Sequence, residues 1–277
     1  MPDRVLHVQP STNFVMKQLQ ISRPFQPKKM SSQDRQDLSE RLFAIHSKIF
    51  QGVQKEQFIR YVIEPETRVT KIYLLQNSEG LDVGYITFQQ FNAKLDRGSR
   101  NVFRTEVGIL PAFRGHNVSM RLLSREITKA YFKSGCKRSF FLATPIHPNP
   151  YCAALRSGVS VYPHPKKETP SRVLELMDKL SAALNISQVG VHSRYEKEVG
   201  WIVRENPAKR ARVLARTDPA SRFYLEQNPD YHLGNGMMMV IPVHPLQGIR
   251  VLAAFARRAL RRRQASRIQA PAVVPVS

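Results

Sequence analysis

Residues 110–123 read LPAFRGHNVSMRLL, and the residue types and their spacing could hold an anion. An Arg-Gly pair, Arg114-Gly115, follows a strand-like run and opens a helix-like one. The first N–H groups of a helix have no intrahelical partner, and the helix dipole is positive there, so a phosphate is favoured at that end. Each hydrogen bond to such a charged group contributes about 1.5–3 kcal/mol. Arg114 adds a cation, Gly115 admits close backbone approach, Asn117 tolerates left-handed angles, and Asn117 or Ser119 can cap the helix. His147, between Pro145 and Pro148, offers a group whose unperturbed pKa is near neutrality, suited to proton transfer or to an ordinary turn. The other histidines show no HExxH or comparable spacing, no Gly-x-Ser-x-Gly elbow or Walker lysine occurs, and no metal is expected.

These residues must be positioned by the elements around them. The spacing of Leu38, Leu42, Ile45 and Ile49 predicts a helix over 31–50, capped by Ser31 or Ser32. Residues 55–63 predict a second, shorter helix stopped by Pro65. A first strand is expected at 13–21, and three more at 70–77, 81–91 and 101–110. After the Arg-Gly turn comes a helix whose face is Met120, Leu123, Ile127, Ala130 and Tyr131, with Gly135 past its end. Residues 138–146 predict a central strand, PYCAALRSG a short helix, and VSVYP another strand. Beyond 166, Thr169-Pro170 starts a helix with the stripe Val173, Leu176, Met177, Leu180 and Leu184. Asp218-Pro219 starts another, ended by Asn228-Pro229, and 237–243 reads as a buried strand. The plan is mixed α/β, with a strand-turn-helix at its centre.

At that centre VGILPAFRGHNVSMRLL resembles motif A of the GNAT acyltransferase superfamily. In that motif a strand and a Val-x-Pro-like step lead into Arg/Gln-x-x-Gly-x-Gly/Ala at a helix start. Ile109-Leu110-Pro111 matches the step and Arg114 the first motif residue, while Asn117 and Ser119 occupy the two small-residue positions. The resemblance covers the element order over roughly 13–165 and implies a mixed-sheet acyltransferase fold, an acyl-CoA donor and an amine acceptor. It divides the chain into a core (1–165), a mainly helical insertion (166–236), a final core strand (237–246) and a basic amphipathic tail (247–277). The donor phosphates fall to Arg114, Gly115, His116, Asn117, Val118 and Ser119. Backbone groups at Val107, Ile109 and Leu110 would pair with the pantetheine arm where two strands splay apart.

Aminolysis of a thioester needs a base, and an acid can protonate the departing thiolate. The resemblance implies a base on the strand carrying Glu106, and His147 stands at the end of the next strand as a second candidate. The family's frequent tyrosine falls on Ala154, leaving Tyr151 as the nearby substitute; an aromatic core residue is the competing reading of Tyr151.

Forty-three Lys+Arg against 21 Asp+Glu give a formal charge of +22, which favours polyanionic partners. Acyl-CoA and an acyl carrier protein both qualify as donors. The tail 247–269 carries seven arginines around a modest Leu- and Ala-containing face. It could lie on an anionic membrane surface, bind nucleic acid, or dock on its own domain. The alternative to an enzyme is therefore a GNAT-like scaffold, catalytically inactive, that binds membrane or nucleic acid through its basic surface. Two cysteines, no apolar run long enough to span a bilayer and no secretory pattern at the start lead to the expectation of a cytoplasmic protein, peripherally membrane-associated if the tail engages lipid.

Overall fold

The computed structural model describes residues 19–95, 98–115, 117–189 and 192–245. His116, the tail 247–277 and most of the strand expected at 13–21 lie outside the described residues. The chain forms a mixed α/β structure around one mostly antiparallel sheet.

Strand β1 (Gln20–Ile21) pairs antiparallel with β3 (Val69–Gln76), and β3 with β4 (Asp82–Leu95). Between β1 and β3 lie α1 (Ser32–Ile49), β2 (Phe50–Gln51) and α2 (Lys55–Phe58), which runs on as a π-turn, Ile59–Ile63. Ser31 caps α1 by accepting the Asp34 N–H at 3.1 Å. The predicted apolar stripe, Leu38, Leu42, Ile45 and Ile49, is the face that α1 buries against Ile72, Leu74 and Tyr85 of the sheet.

Strand β4 is long enough to serve two partners. Its far half pairs with β5 (Gly98–Arg104) and its near half with β6 (Val107–Ile109). Gln89 opposite Arg104 and Ile86 opposite Val107 keep one register, so β5 and β6 are a single strand interrupted at Thr105-Glu106. There the hydroxyl of Thr87 accepts the Glu106 N–H at 2.8 Å, and the Thr105 hydroxyl donates to the Thr87 carbonyl at 2.6 Å. Tyr85, Thr87, Gln89, Arg104, Glu106 and Gly108 consequently share the sheet face that carries α1.

Helix α3 (Val118–Lys133) packs Leu122 and Leu123 on the opposite face, over Phe88 and Phe103. It is followed by β7 (Ser139–Ala143), which runs parallel to β5, and by α4 (Pro148–Arg156). The strand expected at VSVYP is a single bridge, Tyr162 to Val240, because that segment turns away after one exchange of hydrogen bonds.

Residues 166–236 contribute α5 (Ser171–Ala183), β8 (Glu196–Glu198), β9 (Ile202–Val203), α6 (Pro207–Leu214) and α7 (Pro219–Gln227), and β10 (Asn235–Met237) follows directly. Pro170 stands at the cap of α5, one residue before the helical position expected for it. These segments are built into the core. Met177 and Leu180 of α5 pack against Val102, Phe140 and Leu142, β9 pairs with β2, and Trp201 enters the α1 cluster. The run expected as one strand, 237–243, divides: Met237 ends β10 and pairs with β8, while β11 (Met239–Val243) pairs antiparallel with β7.

Tyr85 is fully buried and its ring crosses Gly108; a Cβ at Gly108 would lie 2.5 Å from Tyr85 Cε1. Gly108→Ala is therefore expected to destabilise the fold by about 1–3 kcal/mol, the range for overpacking, measured as a lowered urea midpoint at unchanged m-value.

Candidate active site

The parallel pairing of β5 with β7 stops at Phe103 opposite Phe141. Beyond it β6 pairs with β4, while Leu142 and Ala143 continue along β11. The two strands diverge and leave a wedge. The Glu106 carbonyl accepts the Thr87 N–H and the Leu110 N–H donates to the Val83 carbonyl, so alternate main-chain groups face β4. The groups of Val107 and Ile109 then face the wedge. Leu110, expected among the exposed backbone groups, has its N–H committed at 2.9 Å to Val83.

At the mouth of the wedge Arg114 Nε donates to the Ile109 carbonyl at 2.8 Å, capping one of these edge groups. Gly115 and Asn117 both have left-handed backbones, φ 96° and 54°, and lead into α3. The expected side-chain cap is not made: Asn117 forms none, because its left-handed conformation does not place its side chain over the first turn. The first-turn N–H groups of Val118 and Ser119 thus remain at an open helix end.

Glu106 lies on the β5–β6 strand with its side chain 17% exposed. Burial pushes its pKa from 4.5 to about 7, opposed by the guanidinium of Arg104 at 3.8 Å. A carboxylate so placed is poised to exchange a proton near neutral pH.

His147 stands across the mouth. Its Nδ1 accepts the Asn149 N–H at 3.1 Å, making it the N-cap of α4. Burial lowers its pKa to about 4, helped by the positive charges of Arg216 and Arg114. It is a neutral imidazole held as a helix cap, with its Nε2 3.8 Å from Glu205 Oε2. Tyr151 takes the position of a core aromatic. It is fully buried, its hydroxyl donates to the Pro163 carbonyl at 3.0 Å, and burial raises its pKa. Its ring packs with Phe223 and Tyr224 in the core.

Other participants were not apparent from the sequence. The π-turn lays Tyr61 over Arg104, with the guanidinium 4.9 Å from the ring centroid. The segment after α5 supplies Glu205, which accepts the Tyr231 hydroxyl at 3.0 Å, and Arg216, which donates to Asn149 at 2.6 Å. On α1, His46 Nδ1 lies 2.9 Å from the Tyr85 hydroxyl, and its Nε2 has no hydrogen-bond partner. The His46 and Trp201 rings lie near-perpendicular, at 75°, with centroids 4.5 Å apart.

Although no metal spacing is visible in the sequence, His192, Glu196 and Asp230 converge with their ligand atoms within 4.8 Å of one another. His192 Nε2 is already hydrogen-bonded to Asp230 at 3.0 Å, and buried Glu196 accepts from Asn235 at 2.9 Å. Among the described residues, no helix is long and apolar enough to cross a membrane.

The perturbed groups predict how stability varies with pH. His46 and His147 are neutral when folded and charge on unfolding below about pH 6.5, since burial lowers both to about 4. Their contribution is present above 6.5 and is lost as pH falls towards 4. Glu106 acts oppositely: folded, it holds its proton up to about pH 7, so its contribution is lost as pH rises through 7. Between pH 6.5 and 4.5 these two histidines take up protons on unfolding, and His164, also lowered by burial and the nearby Lys167 and Lys166, adds to that uptake, against the one proton Glu106 releases. Stability should therefore fall on acidification by at least about 1.4 kcal/mol per unit, and Glu106→Gln should steepen the slope. Urea unfolding across this range measures both.

No protein-family model matches the chain, and no curated protein matches it. Among solved structures it is similar to Arabidopsis thaliana NAA60 in complex with acetyl-CoA, at 12% identity and TM-score 0.37 over 82% of this chain and 99% of that one. It is similar also to a GCN5-related N-acetyltransferase from Kribbella flavida, at 12% identity and TM-score 0.33 over 81% and 98%. A third is an aminoglycoside acetyltransferase from an uncultured soil metagenomic sample, at 14% identity and TM-score 0.35 over 55% and 94%. These likenesses assign no activity and no residue role.

Proposed function

We propose that this protein is an N-acyltransferase that takes an acyl group from acyl-CoA, or from an acyl carrier protein, and places it on an amine. The observation that carries this reading is the wedge. Its β6 edge presents Val107 and Ile109 main-chain groups next to an open, positively polarised helix end, and a carboxylate with a near-neutral pKa lies on the same strand. An extended amide-bearing arm can add to such an edge as a further strand, and its phosphates suit the turn from Arg114 to Ser119.

In this arrangement Glu106 takes one proton from the acceptor ammonium. The freed nitrogen attacks the thioester carbonyl carbon, the C–S bond breaks, and a second N–H proton neutralises the departing thiolate. One hydrogen stays on the amide nitrogen. Glu106 replaces His147 as the base because a group with a pKa near the working pH transfers protons more effectively than one near 4. Arg114 and the turn bind the donor, and Tyr151 takes no part.

Calorimetric titration with acetyl-CoA and with a long-chain acyl-CoA tests this. Saturable binding of either is expected. Binding of neither CoA nor a carrier-linked donor, with tight salt-sensitive binding to nucleic acid or anionic vesicles, would establish the inactive-scaffold alternative.

A further inference from the structure

We propose that the acceptor amine carries a carboxylate, received by Arg104 while Glu106 receives the amino group. This rests on the acyl-transfer reading of the same site. Arg104 is 7% exposed; among the described residues its guanidinium has no hydrogen-bond acceptor, and none of its nitrogens is sealed from solvent. Its one ionic neighbour there, Glu106, lies at 3.8 Å, beyond hydrogen-bond reach. The rings of Tyr61 and Phe91, with centroids 4.9 and 5.7 Å away, cover it.

A guanidinium has five N–H donors in a planar fork, and burying it without hydrogen-bonding partners is costly. Contact with ring faces offsets only part of that cost. An Arg–carboxylate pair built for stability is a two-pronged contact at about 2.7–2.9 Å. Here the fork is stacked and largely buried, its nitrogens still reach solvent, and no protein acceptor among the described residues holds it at hydrogen-bond distance, which is the condition of a ligand site rather than of a finished ion pair. Burial also pushes Glu106 up to about 7, so near neutral pH it offsets the Arg104 charge incompletely. A polyamine would meet an uncompensated cation beside the base. A carboxylate would satisfy the fork, and the planar guanidinium matches it in a way that a lysine would not. Arg104 and Glu106 are two residues apart on one strand face, so an amine and a carboxylate on one small molecule can engage both.

The test uses the full chain with acetyl-CoA and follows thiol release with three acceptor pools: free amino acids, their carboxamides and their decarboxylated amines. The free acids are expected to exceed both other pools by about tenfold to a hundredfold in kcat/KM, the value of a charge-assisted hydrogen bond or two. Arg104→Gln should erase that preference through KM, with acetyl-CoA affinity unchanged, and Arg104→Lys should restore part of it. Should Arg104→Gln fail to fold, the wild-type comparison of pools decides alone. Equal rates with carboxamides, release from no carboxylate pool, or a preference that persists in Arg104→Gln would overturn the inference. So would a carboxylate preference that resides in the donor, with succinyl-CoA favoured over acetyl-CoA and the acceptor's carboxylate irrelevant. Release with amines lacking a carboxylate that matches or exceeds release with the free acids would leave acyl transfer standing while this inference fails; absence of both donor binding and release would remove both.

Discussion

Glu106→Gln is expected to lower kcat by about 10²–10⁴-fold, the usual contribution of a positioned general base, with acyl-CoA affinity unchanged. The side chain is nearly isosteric, and the hydrogen bonds joining Glu106 to Thr87 use its backbone, so the β5–β6 strand should hold its place. What disappears is the acceptor for the ammonium proton. The pH dependence gives a second, independent readout. Only the carboxylate can take a proton, and burial sets its pKa at about 7, so the wild-type rate should fall as pH drops through 7 and level off above it. The variant should lose that acid limb. His147→Ala, in contrast, should keep the limb and chiefly weaken the start of α4, costing about 0.5–2 kcal/mol in unfolding measurements.

The second large effect concerns the donor. Combining Arg114→Ala with Asn117→Asp should weaken acyl-CoA binding by about a hundredfold or more, as two charge-dependent contributions of roughly 1.5–3 kcal/mol are lost or reversed. Arg114 supplies a cation at the mouth and orders the Ile109 carbonyl. Asn117 has φ 54°, and Asp is among the few residues that tolerate that conformation, so the turn should survive while a negative charge is placed beside the phosphates. Calorimetry reads the outcome. Unchanged affinity would take the turn out of the donor site.

The contrast between these residues and the others shows what the sequence could carry. Asn117 was legible because few residue types accept a left-handed backbone, and the α1 stripe was legible because helical periodicity repeats over about three turns. The three consecutive strands and the helix after the turn followed from equally local patterns. Arg104 was not legible as a partner of Glu106: that pairing depends on β5 and β6 holding a single register along β4 across an interruption. Tyr61 reaches Arg104 through a π-turn that no spacing rule marks. Glu205 and Trp201 arrive from more than 40 residues beyond α4, carried in by the pairing of β9 with β2. For Tyr151 both readings stayed open, because a tyrosine near a site and a tyrosine in a core look alike until the partner of the hydroxyl, here the Pro163 carbonyl, is known. His147 could not be weighed from sequence either, because burial and the charges of Arg216 and Arg114 lower its pKa to about 4 and the helix cap claims its Nδ1 only in the fold.

The most direct test of the account is thiol release from acetyl-CoA by the purified protein, followed with and without pooled amines and compared with Glu106→Gln. The account predicts release that depends on the amine, accelerates through pH 7, and falls at least a hundredfold in the variant. Amine-independent release, or equal rates in wild type and Glu106→Gln, would contradict it.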